Sequence, residues 1–158
     1  FMGQDIAEFD EWNENRSVEW ELLQYDQHKQ MQEYVKKLNS MYREYPALYA
    51  EDNDPEGFEW INADDKDRSI YSYMRKSENG RNNILVVLNM TPMERKDYQI
   101  GVDKKKKYKL LLNSDDVDFG GNGGTIPKEI TAKAVKCDNK PYSLTFDLPA
   151  YGAALFLF

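Results

Sequence analysis

Between Asp26 and Pro46, apolar and aromatic residues return at steps of three and four: Met31, Tyr34, Val35, Leu38, Met41, Tyr42 and Tyr45. Such positions stack on one side of an α-helix, so the spacing predicts a helix that lays its stripe on a large apolar partner. Asp26 is the predicted N-cap, a carboxylate able to accept free backbone N–H groups, and Pro46 ends the helix. Upstream, "SVEWELL" predicts a short helical turn capped by Ser17. After Pro46 the character changes. "ALYAEDNDPEGF" is a turn-rich connector, and from Phe58 onward short runs of β-branched and aromatic residues predict strands: "FEWINA", "SIYSYMRK", "NILVVLNM", "DYQIGV", "YKLLLNS", "EITAKAV", "YSLTFDL" and "GAALFLF". Turn signals such as "ENGRNN", "NMTP", "GGNGG" and "DNKP" separate them. In "YSLTFDL", Tyr142, Leu144, Phe146 and Leu148 alternate onto one face, whereas Ile70, Tyr71 and Tyr73 leave the facing of "SIYSYM" open. Strands without intervening helices predict a mainly β chain, an antiparallel β-sandwich preceded by a helical segment.

Composition narrows the classes. At 158 residues and 41% hydrophobic, the chain can bury one proper core. No apolar run approaches the about 18 residues of a membrane span, so no membrane partner is expected. The net charge of −7 is uneven: residues 1–67 hold 18 acids and 6 bases, the remainder 10 acids and 15 bases. An acidic first half argues against nucleic acid, whose binders present a basic face. "KKKK" at Lys104–Lys107 reads as a solvated turn between strands. Cys137 is the single cysteine, which suits a reducing, cytoplasmic setting. Phe1 is no translation start, so a missing leader says little about a longer parent chain.

Little in the residues points to catalysis. His28 is the sole histidine, which removes most Ser-His-Asp, Cys-His and His-rich metal arrangements, and its place in the first helical turn predicts a partly exposed residue. Cys137 reads as a small buried residue rather than a nucleophile. The loop Gly120–Gly124 lacks the helix start and Lys-Ser/Thr of a phosphate cradle and reads as an inter-strand loop. Asp5, Glu8, Asp10, Glu11, Glu14, Glu19 and Glu21 supply carboxylates of the kind sugar-cleaving enzymes pair, but nothing fixes two of them at working distance. Trp60 sits among Asp54, Glu56, Glu59 and Asn62 in a chain that is 13% aromatic. Two readings stay open for it. It packs between the helix and the first strand, or it offers a flat apolar platform to a sugar ring while nearby polar groups take hydroxyls.

Taken in order, "FMG", "EWNE", "RSVEW", "VKKLNSMYREYPAL", "DPEGFEWINADD", "NILVVLNMTPMERKDYQIGV", "YKLLLNSDD", "FGGNGG" and "LPAYGAALFL" resemble the C-terminal part of the 1,4-α-glucan branching enzymes of the α-amylase superfamily. The resemblance implies that residues 1–46 are the last loop and terminal helix of a catalytic (β/α)8 barrel and that residues 47–158 are its C-terminal β-sandwich. It also implies that the catalytic carboxylates lie upstream, so none belongs to this chain. After "FM" the family usually reads Gly-Asn-Glu-Phe-Gly/Ala-Gln, where this chain has Gly3, Gln4, Asp5, Ile6, Ala7 and Glu8. The implied partners are α-1,4-glucan (glycogen) and the barrel of the parent chain. Neither metal nor organic cofactor is implied, and Trp60 and Trp12 are the candidate glucan contacts.

Overall fold

The computed structural model describes residues 2–11, 13–65 and 67–158. A helix α1 spans Asp26–Glu44 and is followed by β1 (Phe58–Asn62), β2 (Ile70–Arg75), β3 (Ile84–Asn89), β4 (Arg95–Val102), β5 (Lys107–Asn113), β6 (Glu129–Thr131), β7 (Tyr142–Leu148) and β8 (Ala153–Leu157). Each of the eight predicted runs thus overlaps a strand, with β4 and β5 beginning before their runs. All pairings are antiparallel, in a six-stranded sheet ordered β1-β2-β3-β8-β5-β6 and a two-stranded sheet of β4 and β7. No helix of the described residues is long and apolar enough to cross a membrane.

The layers follow from which side chains each strand can bury. On β7, Leu144, Phe146 and Leu148 point inward, and with Tyr98, Ile100 and Val102 of β4 they meet Leu85, Val87 and Phe156 of the large sheet. That is the sandwich core. Strand β3 lies in the middle of the large sheet, so its other face needs cover as well. Ile84 and Val86 turn to that face and join Leu112, Leu155 and the helix residue Met41 in a second cluster. An apolar run such as "ILVVL", without alternation, is what a strand buried on both faces requires. The order is therefore helix, six-stranded sheet, two-stranded sheet.

Three local expectations are corrected. Tyr25, in extended backbone, occupies the cap position of α1, and Asp26 is the first helical residue, making no side-chain capping bond. A carboxylate in the first turn still favours the positive end of the helix. Ser17 is not a cap: its hydroxyl donates to the Val18 carbonyl, and the short helical turn runs Trp20–Gln24, preceded by Glu19. The predicted helix stripe also divides. Tyr34, Leu38, Met41 and Tyr45 pack on the sheet, whereas Val35 and Tyr42 line a shallow cavity with Asp5 and Asn39. The reason is angular width: seven apolar positions span more of the helix circumference than one flat sheet can cover.

His28 also departs from expectation. It is 6% exposed, not partly exposed, because the N-terminal segment folds back over the start of α1. Its Nδ1 lies 2.6 Å from the carbonyl oxygen of the fully buried Ile6, and the Phe9 ring meets it edge-on at 5.2 Å. With a carbonyl as partner, Nδ1 carries the hydrogen and donates.

Candidate functional site: an aromatic cluster on the sheet edge

Strand β1 is an edge strand entered through a tight turn at Pro55–Gly57. The Asp54 carboxylate accepts the Glu56 N–H at 2.8 Å and closes that turn. Gly57 is required there, because a Cβ would lie 2.3 Å from the Glu51 carbonyl oxygen. The antiparallel register then sets Trp60 opposite Tyr73 and Phe58 opposite Arg75. On β2, Ile70, Ser72 and Met74 are buried and the alternate residues Tyr71, Tyr73 and Arg75 face the other way, which resolves the open facing of that strand.

The rings form a compact group. Phe58 stacks on Tyr73 at 5.1 Å, and Trp60 meets Tyr73 edge-on at 5.7 Å and Phe58 edge-on at 5.0 Å. Yet Trp60 keeps 50% of its surface open to solvent and Phe58 37%. The indole thus packs on Phe58 and Tyr73 of the sheet rather than between the helix and the first strand, and half of its surface stays exposed. One side of the ring is held by neighbours, and the rest faces water. Tyr71, two residues from Tyr73 on the same face, is exposed too.

Of the polar residues that the sequence groups around Trp60, three are already engaged. Glu59 points to the opposite face, where it pairs with Lys76 at 2.7 Å and with Lys140, itself 2.9 Å from Asp103. Burial pushes the Glu59 carboxyl up, but hydrogen bonds from Lys140 and Lys76 outweigh it and hold the group below its ordinary value. The Asn62 amide donates to Asp138 and its oxygen accepts the Asp64 N–H, while Asp54 serves the turn. The polar pair on the Trp60 face is instead Arg75 and Asp52, joined by a salt bridge. Residue types and spacing did not single out Phe58, Tyr71, Tyr73 or the Arg75–Asp52 pair, since only the β1–β2 register brings them to Trp60. Trp12, the other candidate contact, lies outside the described residues.

The remaining candidates are structural. Arg16 pairs with Asp10 at 2.9 Å and with Glu19 at 3.0 Å, and Glu8 accepts the Glu19 N–H, so several of the leading carboxylates brace their own loop. The Cys137 thiol is half-buried beside Asp138; burial, then the Asp138 charge, pushes it up to about 11, so it stays protonated at neutral pH. The glycine-rich loop is an inter-strand loop, tied by Asp115, whose carboxylate accepts the N–H groups of Asn122 and Gly124 at 2.9 Å each.

Residues 60–158 match the family described as alpha amylase, C-terminal all-beta domain. The whole chain is 52% identical to a 1,4-alpha-glucan branching enzyme GlgB of Butyrivibrio fibrisolvens, of which it covers 25%. It is 39% identical over 156 residues to the enzyme of the same name from Halothermothrix orenii, again covering 25% of that protein, and 36% identical over 155 residues to that of Geobacillus stearothermophilus, covering 24%. The chain thus spans about a quarter of the length of the curated relatives it matches. Among solved structures, a MUTB mutant from crystals soaked with trehalulose superposes with a TM-score of 0.50 at 14% identity, over 81% of this chain and 18% of that one. At that identity the likeness concerns the fold alone.

Proposed function

Since this chain belongs to the family of α-amylase C-terminal all-beta domains, we infer that it is the C-terminal region of a cytoplasmic 1,4-α-glucan branching enzyme. Identity of 52% along all 158 residues to a protein of that name is the observation that carries this reading. In such a parent, a carboxylate attacks the anomeric carbon of an α-1,4 chain, a protonated acid assists departure, and the covalent glycosyl-enzyme passes its segment to a 6-hydroxyl of glycogen. Those groups belong to barrel strands outside this chain, so the chain alone is inactive. Residues 1–46 serve as the last barrel loop and terminal helix, and residues 47–158 as the sandwich that backs them. Consistent with this, α1 has one face on the sheet and a second, carrying Val35 and Tyr42, that the sheet leaves uncovered. The barrel of the parent chain is the partner for that second face. Neither nucleic acid nor membrane is a partner in this reading.

Trp60 and its ring neighbours hold glucan away from the reaction centre. The half-open indole braced by Phe58 and Tyr73 supports this, because a platform must be both exposed and rigid. The same feature favours a second reading, a freestanding glycan-binding module without a catalytic partner. Titration with maltoheptaose tests the platform: a saturable tryptophan fluorescence change is expected in the wild type and is lost in Trp60→Ala. Unaltered binding in that variant would leave Trp60 as packing alone. The isolated chain should leave amylose unbranched, and new α-1,6 linkages formed by it would overturn the division between barrel and sandwich.

A further inference from the structure

One feature unused by this account is a cleft of about 450 Å³ between the first half of α1 and the ends of β3, β5 and β8. Its volume falls in the range of small-ligand sites. Tyr34 and Phe119, edge-on at 5.4 Å, line it together with Met31, Tyr151, Gln27 and Gln30. None of the described residues around it is Asp, Glu, Lys or Arg, in a chain of which 31% is charged. An ionic ligand would find no counter-charge here. A neutral ligand with apolar ring faces and many hydroxyls would find both aromatic surface and side-chain amides.

The rim is held rigidly. Asn89 is buried at the end of β3, and its amide nitrogen donates to the carbonyls of Met93 at 2.8 Å and Pro149 at 2.9 Å. Its side-chain oxygen accepts from the Thr91 N–H at 3.1 Å and the Thr91 hydroxyl at 2.7 Å. Two further backbone bonds, Asn89 N–H to the Gly152 carbonyl and Tyr151 N–H to the Thr91 carbonyl, lace the turns after β3 and before β8 together. Tyr151 sits on this laced turn at φ 48°, a left-handed backbone that an aromatic residue seldom adopts, and is 70% exposed. Strain of this kind persists where surroundings over-determine it, and it clusters at ligand sites. The cleft also adjoins the Trp60 cluster. Tyr73 lies opposite Trp60, Tyr71 follows on the same face of β2, and Tyr71 lies opposite Leu88, which lines the cleft.

We propose that this cleft is a second α-glucan site, in which Tyr151 is the ring platform, the Gln27 amide takes sugar hydroxyls, and Gln30, whose amide nitrogen donates to the Val117 carbonyl at 3.3 Å, offers its oxygen as an acceptor. The proposal rests on the glucan reading above and adds a separate place for the chain to bind. Two-dimensional amide NMR of the 158-residue chain titrated with maltoheptaose tests it. Saturable shifts are expected at Met90, Phe119, Gly120, Tyr151 and Gly152, besides those near Trp60. Tyr151→Gly removes the ring at a backbone angle that glycine tolerates, and should weaken the cleft response about tenfold while the Trp60 response persists. Gln27→Ala, on an exposed position, should weaken it by a smaller factor, and Tyr151→Phe should retain it. Shifts confined to the Trp60 region would overturn the cleft and spare the glucan reading. No saturable shift anywhere would overturn both.

Discussion

Met41 offers the sharpest test of how the helix is attached. It is the one apolar residue of α1 that is fully buried, at 1% exposure, and it contacts the sheet residues of the cluster formed by Ile84, Val86, Leu112 and Leu155. Replacing it with alanine removes the thioether arm from a site backed by strands whose backbones are locked in pairing. Such a site collapses poorly, so most of the vacated space stays as a cavity. Buried Met→Ala changes cost about 2–5 kcal/mol, and a rigid wall on one side argues for about 3. For a domain of this size that amounts to a fall in Tm of roughly 6–12 °C. Urea unfolding followed by circular dichroism reads the loss as a lower midpoint. Met41→Leu, which keeps the volume, should cost less than about 1.5 kcal/mol, and Tyr42→Ala, on the more exposed side, about 1 or less. The two apolar clusters lie on opposite faces of one sheet. Met41→Ala should therefore raise amide exchange in α1 before it affects β4 or β7. A loss under about 1 kcal/mol, or a larger loss from Tyr42→Ala than from Met41→Ala, would refute the assignment of that face as the attachment.

Two other changes probe separate ties. His28→Ala leaves the buried Ile6 carbonyl without its donor at a cost of about 1–3 kcal/mol, and should raise amide exchange over residues 3–8; unchanged exchange there would refute a tie through the imidazole. The folded-state pKa of Glu59 lies below its ordinary value of 4.5, so its contribution is complete above that value and is lost as pH falls through the lower folded value. Glu59→Gln should accordingly flatten part of the acid limb of the stability profile measured by urea midpoints between pH 2 and 6, and an identical acid limb in both proteins would contradict the Lys76–Glu59–Lys140 pairing.

Periodicity carried a large part of this protein. A step of three and four marked α1, alternation marked β7, and an unbroken apolar run marked β3, because local geometry dictates which side chains share a face before any partner is chosen. Ordered motifs likewise carried the family. What the chain could not reveal is set by contacts distant in sequence. Strand order, with β8 inserted between β3 and β5, depends on how apolar faces compete for two cores on either side of one sheet. The burial of His28 depends on a segment 22 residues away folding back. The polar residues that the sequence sets around Trp60 are not those the fold brings to it: pleating sends Glu59 to the far face, and register brings Tyr73, Phe58 and the Arg75–Asp52 pair to the face of the indole. A site made of side chains from separate strands exists only after pairing selects which rows lie opposite, and that selection is a property of the whole fold.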